Sequence, residues 1–494
     1  MGGEKRRMNL ILAIVAIAQL MDILDMAIVN VALPSISRQF QLVNPSALQW
    51  VVSAYTLAYG GFLLLGGKAA DFIGRKRTFL AGSIVFVLAS FATGIAQSAS
   101  MINIARAFQG LGAAFMSPAA LSIVLTTFTE KKERNRALGL WGAIGAGGAA
   151  VGLLIGGVLT QYLGWRWNFF INVPIGLAII LLAWRYIPGS KPEANDRKRL
   201  DLPGALLATI GLVLLVFGLT GVPAYGWGSA RTLASLISGL VVLMTFVMVE
   251  SRASEPLVPF RIFQVRNVGG ANLVNLLVVI GMSAVFFFLT LFLQNAMGLA
   301  PLATGVRFLP MAGVIGISAG LASRLVMRTG YKLPMIAGPF IAAIGLLLFA
   351  QVRSGGTYWK MVASGIFVAA FGIGLSYVST MIAATNEVPG KLSGLASGLL
   401  NSTQQIGMAL GVAILSTVAS SAAGSSLVLN GASARIAAEA QIAGYREAFL
   451  VGAGVMAAAA ILALAVIRQR KGEKVVFNPN AGFGISREET DPSS

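Results

Sequence analysis

Short charged loops divide this chain of 494 residues into stretches of about twenty predominantly apolar residues. Hydrophobic residues make up 56% of the sequence and charged residues only 11%, and the mean hydropathy is +0.79. A stretch of this length crosses the hydrocarbon core of a bilayer as a helix, because a helix bonds all of its backbone polar groups internally. The pattern predicts an all-α integral membrane protein with 14 transmembrane helices.

The distribution of positive charge supports an even number of spans. With a cytoplasmic N-terminus, the inner loops, tails and span ends hold twenty-eight of the 37 Lys and Arg residues, the outer ones hold eight, and Arg106 lies inside a span. This asymmetry predicts a multi-pass protein of the cytoplasmic (inner) membrane with both termini in the cytoplasm. Because topology accounts for the net charge of +19, we expect a lipid bilayer and no nucleic acid as partner.

Several classes of chemistry have no support in the residue types present. The chain has no cysteine and no histidine, so it lacks thiolates and the commonest general base and metal ligand. A phosphate-binding loop of the GxxxxGK[ST] type is also absent, which argues against transport driven by ATP. We therefore expect a protein that is not an enzyme and binds no metal or cofactor. A membrane-embedded enzyme or a receptor remains the alternative from another class.

The first apolar stretch contains two carboxylates. Asp22 and Asp25 lie three residues apart on one helix face, and Gln19 precedes them by one turn. At about 1.5 Å per residue, Asp25 lies about 9 Å and Asp22 about 14 Å below Val31. Ionisable groups at such a depth usually face a bundle interior or an aqueous cavity. We predict that this face lines a transport pathway; the alternative is solvation at the outer surface.

Two polar connectors divide the chain into six, two and six spans. One connector covers residues 188–201 and the other residues 251–266. The predicted organisation is an N-terminal six-helix bundle at 1–187, a cytoplasmic linker with two inserted helices at 188–266, a C-terminal six-helix bundle at 267–467, and a cytoplasmic tail at 468–494.

An internal repeat supports this division. The loop from Gly67 to Arg77 aligns with the loop from Ser323 to Lys332, so that Gly74 matches Gly330. Two halves with matching loops are typical of a duplicated transporter whose site lies between the halves.

The loop GKAADFIGRKR has features of a cytoplasmic gate. Its glycines permit a tight turn, its carboxylate is favoured near a helix N-terminus, and its basic residues face an anionic leaflet. Topology alone would explain the cations but not the acid between two glycines. The predicted gate residues are Gly67, Asp71, Gly74, Arg75 and Lys76.

Several motifs resemble a known family. GKAADFIGRKR resembles the signature loop of the major facilitator superfamily, and RAFQGLGAA from Arg106 resembles its fourth-helix motif. LDMAIVNVALP from Leu24 is similar to the first-helix motif of the fourteen-helix drug:proton antiporter branch. Further matches are WRWNFFINVPIG from Trp165, EPLVPFRIF from Glu255 and GLASGLLNSTQQIGMALG from Gly394, so the resemblance covers nearly the whole chain.

The resemblance implies the major facilitator fold and a proton-coupled antiporter that exports amphipathic drugs or toxic compounds. It implies that Asp25 is the acid tied to proton coupling and that Arg106 is the base acting with it. Asp22 is an addition to the family pattern, and we expect it to be a second proton site or a contact for a cationic substrate. The expected partners are protons and a small amphipathic substrate, the energy source is the proton gradient, and the expected state is a monomer.

The fifth helix departs from the family pattern. VGLLIGG, from Val151, has Leu153 where the antiporter motif has a proline. Gly148, Gly152 and Gly156 still form a stripe that permits close helix packing, and this stripe serves either packing or antiport. The departure weakens the inference of antiport. It keeps open a narrow-specificity exporter of one endogenous metabolite, antibiotic or lipid precursor.

Amides and phenols inside the spans are candidates for lining the substrate cavity. The alternative is that they hold neighbouring helices together, at about 0.6 kcal/mol per contact. The candidates are Gln19, Tyr55, Tyr59, Gln109, Gln294, Tyr377, Asn401, Gln404 and Gln405.

Overall fold

The computed structural model describes residues 2–42, 45–128, 130–189, 200–253, 255–353, 355–389, 392–430, 434–469, 476–481 and 484–486. The predicted linker at 188–201 and the predicted tail at 468–494 therefore lie largely outside the described residues. Within them, fourteen long helices follow one another in the chain. They are α1 (Gly2–Phe40), α2 (Trp50–Phe72), α3 (Arg75–Gly94), α4 (Ala99–Thr127), α5 (Lys131–Tyr162), α6 (Asn172–Tyr186), α7 (Leu202–Tyr225), α8 (Ala230–Arg252), α9 (Val268–Leu291), α10 (Pro301–Thr329), α11 (Lys332–Phe349), α12 (Ala363–Thr385), α13 (Ser393–Asn430) and α14 (Ala434–Val466).

Shorter elements connect these helices. Helical turns at Pro45–Leu48, Trp167–Phe170 and Tyr358–Met361 precede α2, α6 and α12, a 3₁₀ turn at Phe260–Gln264 precedes α9, and a π turn at Phe292–Ala296 follows α9. Two short antiparallel strands, Val476–Ala481 and Gly484–Ser486, lie in the tail.

Thirteen of the described helices are each long and apolar enough to cross a membrane, and a fourteenth span is present if the bent helix α5 is counted as one. Its two arms, Arg136–Gly142 and Gly147–Tyr162, meet at 44°. Glycines at such a junction lower the resistance of a helix to bending. The bend lies before Leu153, so α5 is bent even without the motif proline. The predicted all-α membrane architecture is confirmed.

The two loops that the sequence aligns share a backbone feature. Gly74, between α2 and α3, has φ 105°, and Gly330, between α10 and α11, has φ 79°. L-residues with a Cβ rarely adopt these angles, so glycine fits both positions. The two loops thus make the same left-handed turn at the aligned residue.

The backbones of helices α4 and α2 pack in direct contact with each other. A Cβ added at Gly110 would lie 2.2 Å from the Tyr55 carbonyl oxygen, and one added at Gly66 would lie 2.0 Å from the Ala114 carbonyl oxygen. Small residues permit this approach where lipid offers no hydrophobic driving force. The contact brings the polar residues of α4 beside the tyrosines of α2.

The glycine stripe of α5 faces α1. Cβ atoms added at Gly148, Gly152 and Gly156 would meet α1 at distances of 3.0, 2.7 and 3.0 Å, respectively. The stripe is therefore the surface of α5 against which the helix carrying Asp22 and Asp25 packs.

Candidate functional site: a buried pair of aspartates

Asp25 has no exposed surface and accepts hydrogen bonds from three different residues. Arg106 Nη1 lies 2.5 Å from Asp25 Oδ2 and forms an ion pair with it. Gln109 Nε2 donates to Oδ1 at 2.7 Å, and Asn172 Nδ2 donates to the same oxygen at 2.9 Å. Helices α1, α4 and α6 thus meet at one carboxylate.

The guanidinium of Arg106 makes further contacts. Its Nε donates to the Val51 carbonyl at 3.1 Å, and Nη1 donates to Gln109 Oε1 at 2.8 Å. Its Cζ lies 4.3 Å from the centre of the Tyr55 ring, which is a favourable position for a cation. A buried charge is tolerated when it is paired and hydrogen-bonded, and Arg106 is paired with Asp25 and donates to two further acceptors.

A small amide and hydroxyl network supports the pair. Ser90 Oγ accepts from Gln109 Nε2 at 3.2 Å and from Asn172 Nδ2 at 3.0 Å, and it donates to the Phe169 carbonyl at 3.0 Å. Sequence reasoning missed Ser90 and Asn172. The signal for Asn172 was a buried amide inside the matched motif from Trp165, whereas a serine in an apolar span gives almost no signal.

Asp22 lies in a different environment. Its exposed fraction is 2%, Tyr55 Oη donates to Oδ1, and Tyr59 Oη donates to Oδ2 at 3.1 Å. Among the described residues, no lysine or arginine forms an ion pair with it. Asp22 is therefore a buried carboxylate held by neutral phenols, one turn away from a carboxylate held by a cation.

Gln19 lies one turn before Asp22 and has a different partner. Ser117 Oγ donates to Gln19 Oε1 at 3.2 Å. Ser117 was not predicted from the sequence. Of the predicted candidates, Tyr55 and Tyr59 hydrogen-bond to Asp22 and Gln109 hydrogen-bonds to Asp25, whereas Gln19 hydrogen-bonds to Ser117.

The candidates from the second half are more dispersed. Gln294 Nε2 donates to the Val31 carbonyl at 2.9 Å, and Gln405 Nε2 lies 3.9 Å from Met26 Sδ, so both contact α1. Tyr377 and Asn401 are exposed, and Gln404 is half-buried. Among the described residues, none of these five side chains hydrogen-bonds to either aspartate.

The predicted gate lies far from the aspartates along α2. Sixteen residues separate Tyr55 from Asp71, or about 24 Å of helix. Lys76 Nζ donates to the Trp184 carbonyl at 2.7 Å, Asp71 is exposed, and Arg75 is half-buried. Gly67 lies near Pro118, since an added Cβ would be 4.0 Å from the Pro118 Cβ.

One further contact at the gate was not predicted. Lys68 Nζ donates to the carbonyls of Glu255 at 2.9 Å and Pro256 at 2.5 Å, on the connector that follows the two inserted helices. We call this contact the Lys68 clasp. It joins the gate loop to the insert.

Residues 15–412 match the Major Facilitator Superfamily. The chain belongs to this superfamily of membrane transporters, and the resemblance predicted from its motifs is confirmed. It is 39% identical to a puromycin resistance protein of Streptomyces alboniger over 464 residues, which covers 93% of this chain and 91% of that protein. It is 35% identical to the multidrug resistance protein Stp of Mycobacterium tuberculosis over 401 residues, with coverages of 81% and 73%.

A solved structure shows the same fold. The bacterial homologue of the human lysosomal transporter Spinster, in its inward-facing and unoccupied conformation, superposes with a TM-score of 0.68 at 17% identity, covering 93% of this chain and 97% of that one. The predicted major facilitator fold is therefore confirmed.

Proposed function

We propose that this protein is a secondary active transporter that exports amphipathic drugs or toxic compounds in exchange for protons. The observation that carries the proposal is the pairing of two buried aspartates in unlike settings, Asp25 with its cation and Asp22 without one. The names of the resistance proteins to which the chain is similar support export as the direction.

Asp25 and Asp22 have different roles in this proposal. Arg106 and the amide donors bind the Asp25 carboxylate, and a proton that reached Asp25 would break the ion pair and free the guanidinium. Asp22 has no cation of its own, so its buried charge is best neutralised by a proton or by a cationic substrate. Occupancy by one excludes the other, and linkage requires that each weaken the binding of the other. Because a proton and a cationic substrate cannot occupy Asp22 together, the protein exchanges one for the other across the membrane.

Alternating access would convert this exchange into transport. The acids lie on α1, which also contacts the second half through Gln294 and Gln405. A change in charge at the acids therefore acts on the contact between the halves. In this proposal the proton gradient supplies the energy without a cofactor, both termini face the cytoplasm, and the protein acts as a monomeric transporter rather than an enzyme.

The test is drug-dependent proton movement in liposomes containing the purified protein. Ethidium and puromycin serve as probes, and an internal pH dye reports proton flux. We expect Asp25→Asn to abolish proton-coupled efflux and Asp22→Asn to abolish it for ethidium. Glu447→Gln, at an exposed acid on α14, is the matched control and should transport normally. Undiminished pH-driven efflux by Asp25→Asn would refute the coupling.

A narrow-specificity exporter is the second candidate. The substitution at Leu153 weakens the antiport motif, and the relative from Streptomyces alboniger is named for a single antibiotic. Cells challenged with chemically unrelated toxic cations would separate the two: protection against several favours the first candidate, and protection against one compound favours the second.

A further inference from the structure

A second pair of carboxyl groups lies at the base of the two inserted helices. Asp201 caps α7, since its Oδ1 accepts from the Gly204 amide at 2.9 Å. Glu250, near the end of α8, has an exposed fraction of 1%, and its Oε1 accepts from the Val258 amide at 2.5 Å. Each acid thus uses one oxygen to hold a backbone amide.

The remaining oxygens of the two acids face each other. Asp201 Oδ2 and Glu250 Oε2 are both buried and have no hydrogen-bond donor among the described residues. Both approach Gly204, where an added Cβ would lie 2.5 Å from Asp201 Oδ2 and 2.9 Å from Glu250 Oε2. The two side chains are within hydrogen-bonding reach of each other. Because ionised carboxylates only accept, a bond between them requires a proton on one of them.

The surroundings of the pair are largely apolar. The apolar side chains of Leu65, Ala205, Leu257 and Val258 pack in one cluster around this base. Lys68 is the basic residue that faces the pair from α2, and its ammonium group is held by two backbone carbonyls.

The other charged groups of the connector point elsewhere. The side chains of Arg252, Glu255 and Arg261 are exposed, and Arg266 lies 3.6 Å from Glu387. Among the described residues, neither Asp201 nor Glu250 forms an ion pair. Two adjacent carboxylates whose facing oxygens are buried and that have no ion-pair partner cannot both stay ionised at low cost.

We propose that Asp201 and Glu250 share one proton and form a second proton-binding site, whose occupancy maintains the Lys68 clasp. The proton satisfies both unpaired oxygens in a single carboxyl–carboxylate hydrogen bond.

The link to the gate is short. Glu250 holds the Val258 amide, and the connector residues just before it offer Lys68 its two carbonyls. When the proton leaves for cytoplasmic water, the two carboxylates repel and also attract the Lys68 ammonium group. Val258 then loses its acceptor, and Lys68 leaves the carbonyls of Glu255 and Pro256, so the clasp opens.

Hydrogen exchange of the Val258 amide, measured in the full-length protein, reports whether the hydrogen bond from this amide to Glu250 is present. After correction for the intrinsic base catalysis measured on an unfolded peptide, we expect protection to fall at least tenfold between pH 6 and pH 9. Glu250→Gln and Asp201→Asn each place an amide where the shared proton lies, so both should stay protected across this range. Glu255→Gln, an exposed change on the same connector, is the matched control and should behave like the native protein.

An infrared spectrum provides a second readout that does not depend on the stability of a variant. At neutral pH the native protein should show a protonated-carboxyl band, and part of that band should remain in Asp22→Asn. In the Asp22→Asn background, adding either Glu250→Gln or Asp201→Asn should remove the remaining band. Protection of Val258 that is independent of pH in the native protein, or a native pH dependence in Glu250→Gln, would overturn the proposal. A carboxyl band that survives both neutralising substitutions in the Asp22→Asn background would overturn it as well.

Discussion

Tyr55 contacts Arg106 with its ring and Asp22 with its hydroxyl. The ring centre lies 4.3 Å from the guanidinium carbon, and the hydroxyl donates to the carboxylate. One rigid side chain therefore connects the cation that neutralises Asp25 with the acid that has no cation.

Tyr55→Phe keeps the ring beneath Arg106 and removes one of the two donors to Asp22. A hydrogen bond to a charged group contributes about 1.5–3 kcal/mol. Because about 1.4 kcal/mol corresponds to a tenfold change, we expect proton-coupled efflux of ethidium to fall about tenfold or more. Tyr225→Phe, on the insert and far from the acids in the sequence, is the matched control. Efflux at the native rate by Tyr55→Phe would remove Asp22 from the mechanism.

Arg106→Gln should destabilise the protein more than the double variant Asp25→Asn/Arg106→Gln. Removing one member of a buried ion pair leaves an uncompensated charge, which typically costs 3–5 kcal/mol. Neutralising both removes that cost, so the double-mutant cycle should show that the effects of the two single substitutions are strongly non-additive. The measurement is chemical unfolding of the purified protein in detergent. Additive effects of the two single substitutions would show that the pair is not coupled.

Gly152→Val should separate α1 from α5. A Cβ at this position already lies 2.7 Å from the Ala27 Cβ, and overpacking of this kind costs about 1–3 kcal/mol. We expect a lower melting temperature and loss of efflux. Gly454→Ala on α14, where an added Cβ meets nothing within 4 Å, is the control and should be neutral. Native stability of Gly152→Val would contradict the close packing of these helices.

A cross-link across the contact between α13 and the turn before α2 should arrest transport. Ser46 Oγ and Ser420 Oγ lie 2.9 Å apart, on the first and second halves of the chain. Since the chain has no cysteine, the variant Ser46→Cys/Ser420→Cys contains only this thiol pair, and oxidation should join it. If access alternates, efflux should stop on oxidation and recover with a reductant. Continued efflux by the oxidised protein would contradict movement at this contact.

The sequence predicted the membrane fold because apolar length and loop charge are nearly sufficient to define it. It also predicted the ion pair, since Asp25 and Arg106 are rare charges inside spans and each lies in a matched motif. It could not predict Ser90, Ser117 or Asn172 as supporting residues, because hydroxyls and amides are common in membrane helices and their partners depend on helix rotation. The Lys68 clasp was equally inaccessible, because its acceptors are backbone carbonyls, which carry no sequence signal.

The close seam between α1 and α5 has a pharmacological consequence. The helix that bears both acids packs Ile23, Ala27 and Ile28 directly against a row of glycines on α5, so a group inserted there would force the two helices apart. A small lipophilic molecule that entered between α1 and α5 from the bilayer would block transport without competing for either acid. Such an inhibitor would not be displaced by raising the concentration of the transported compound.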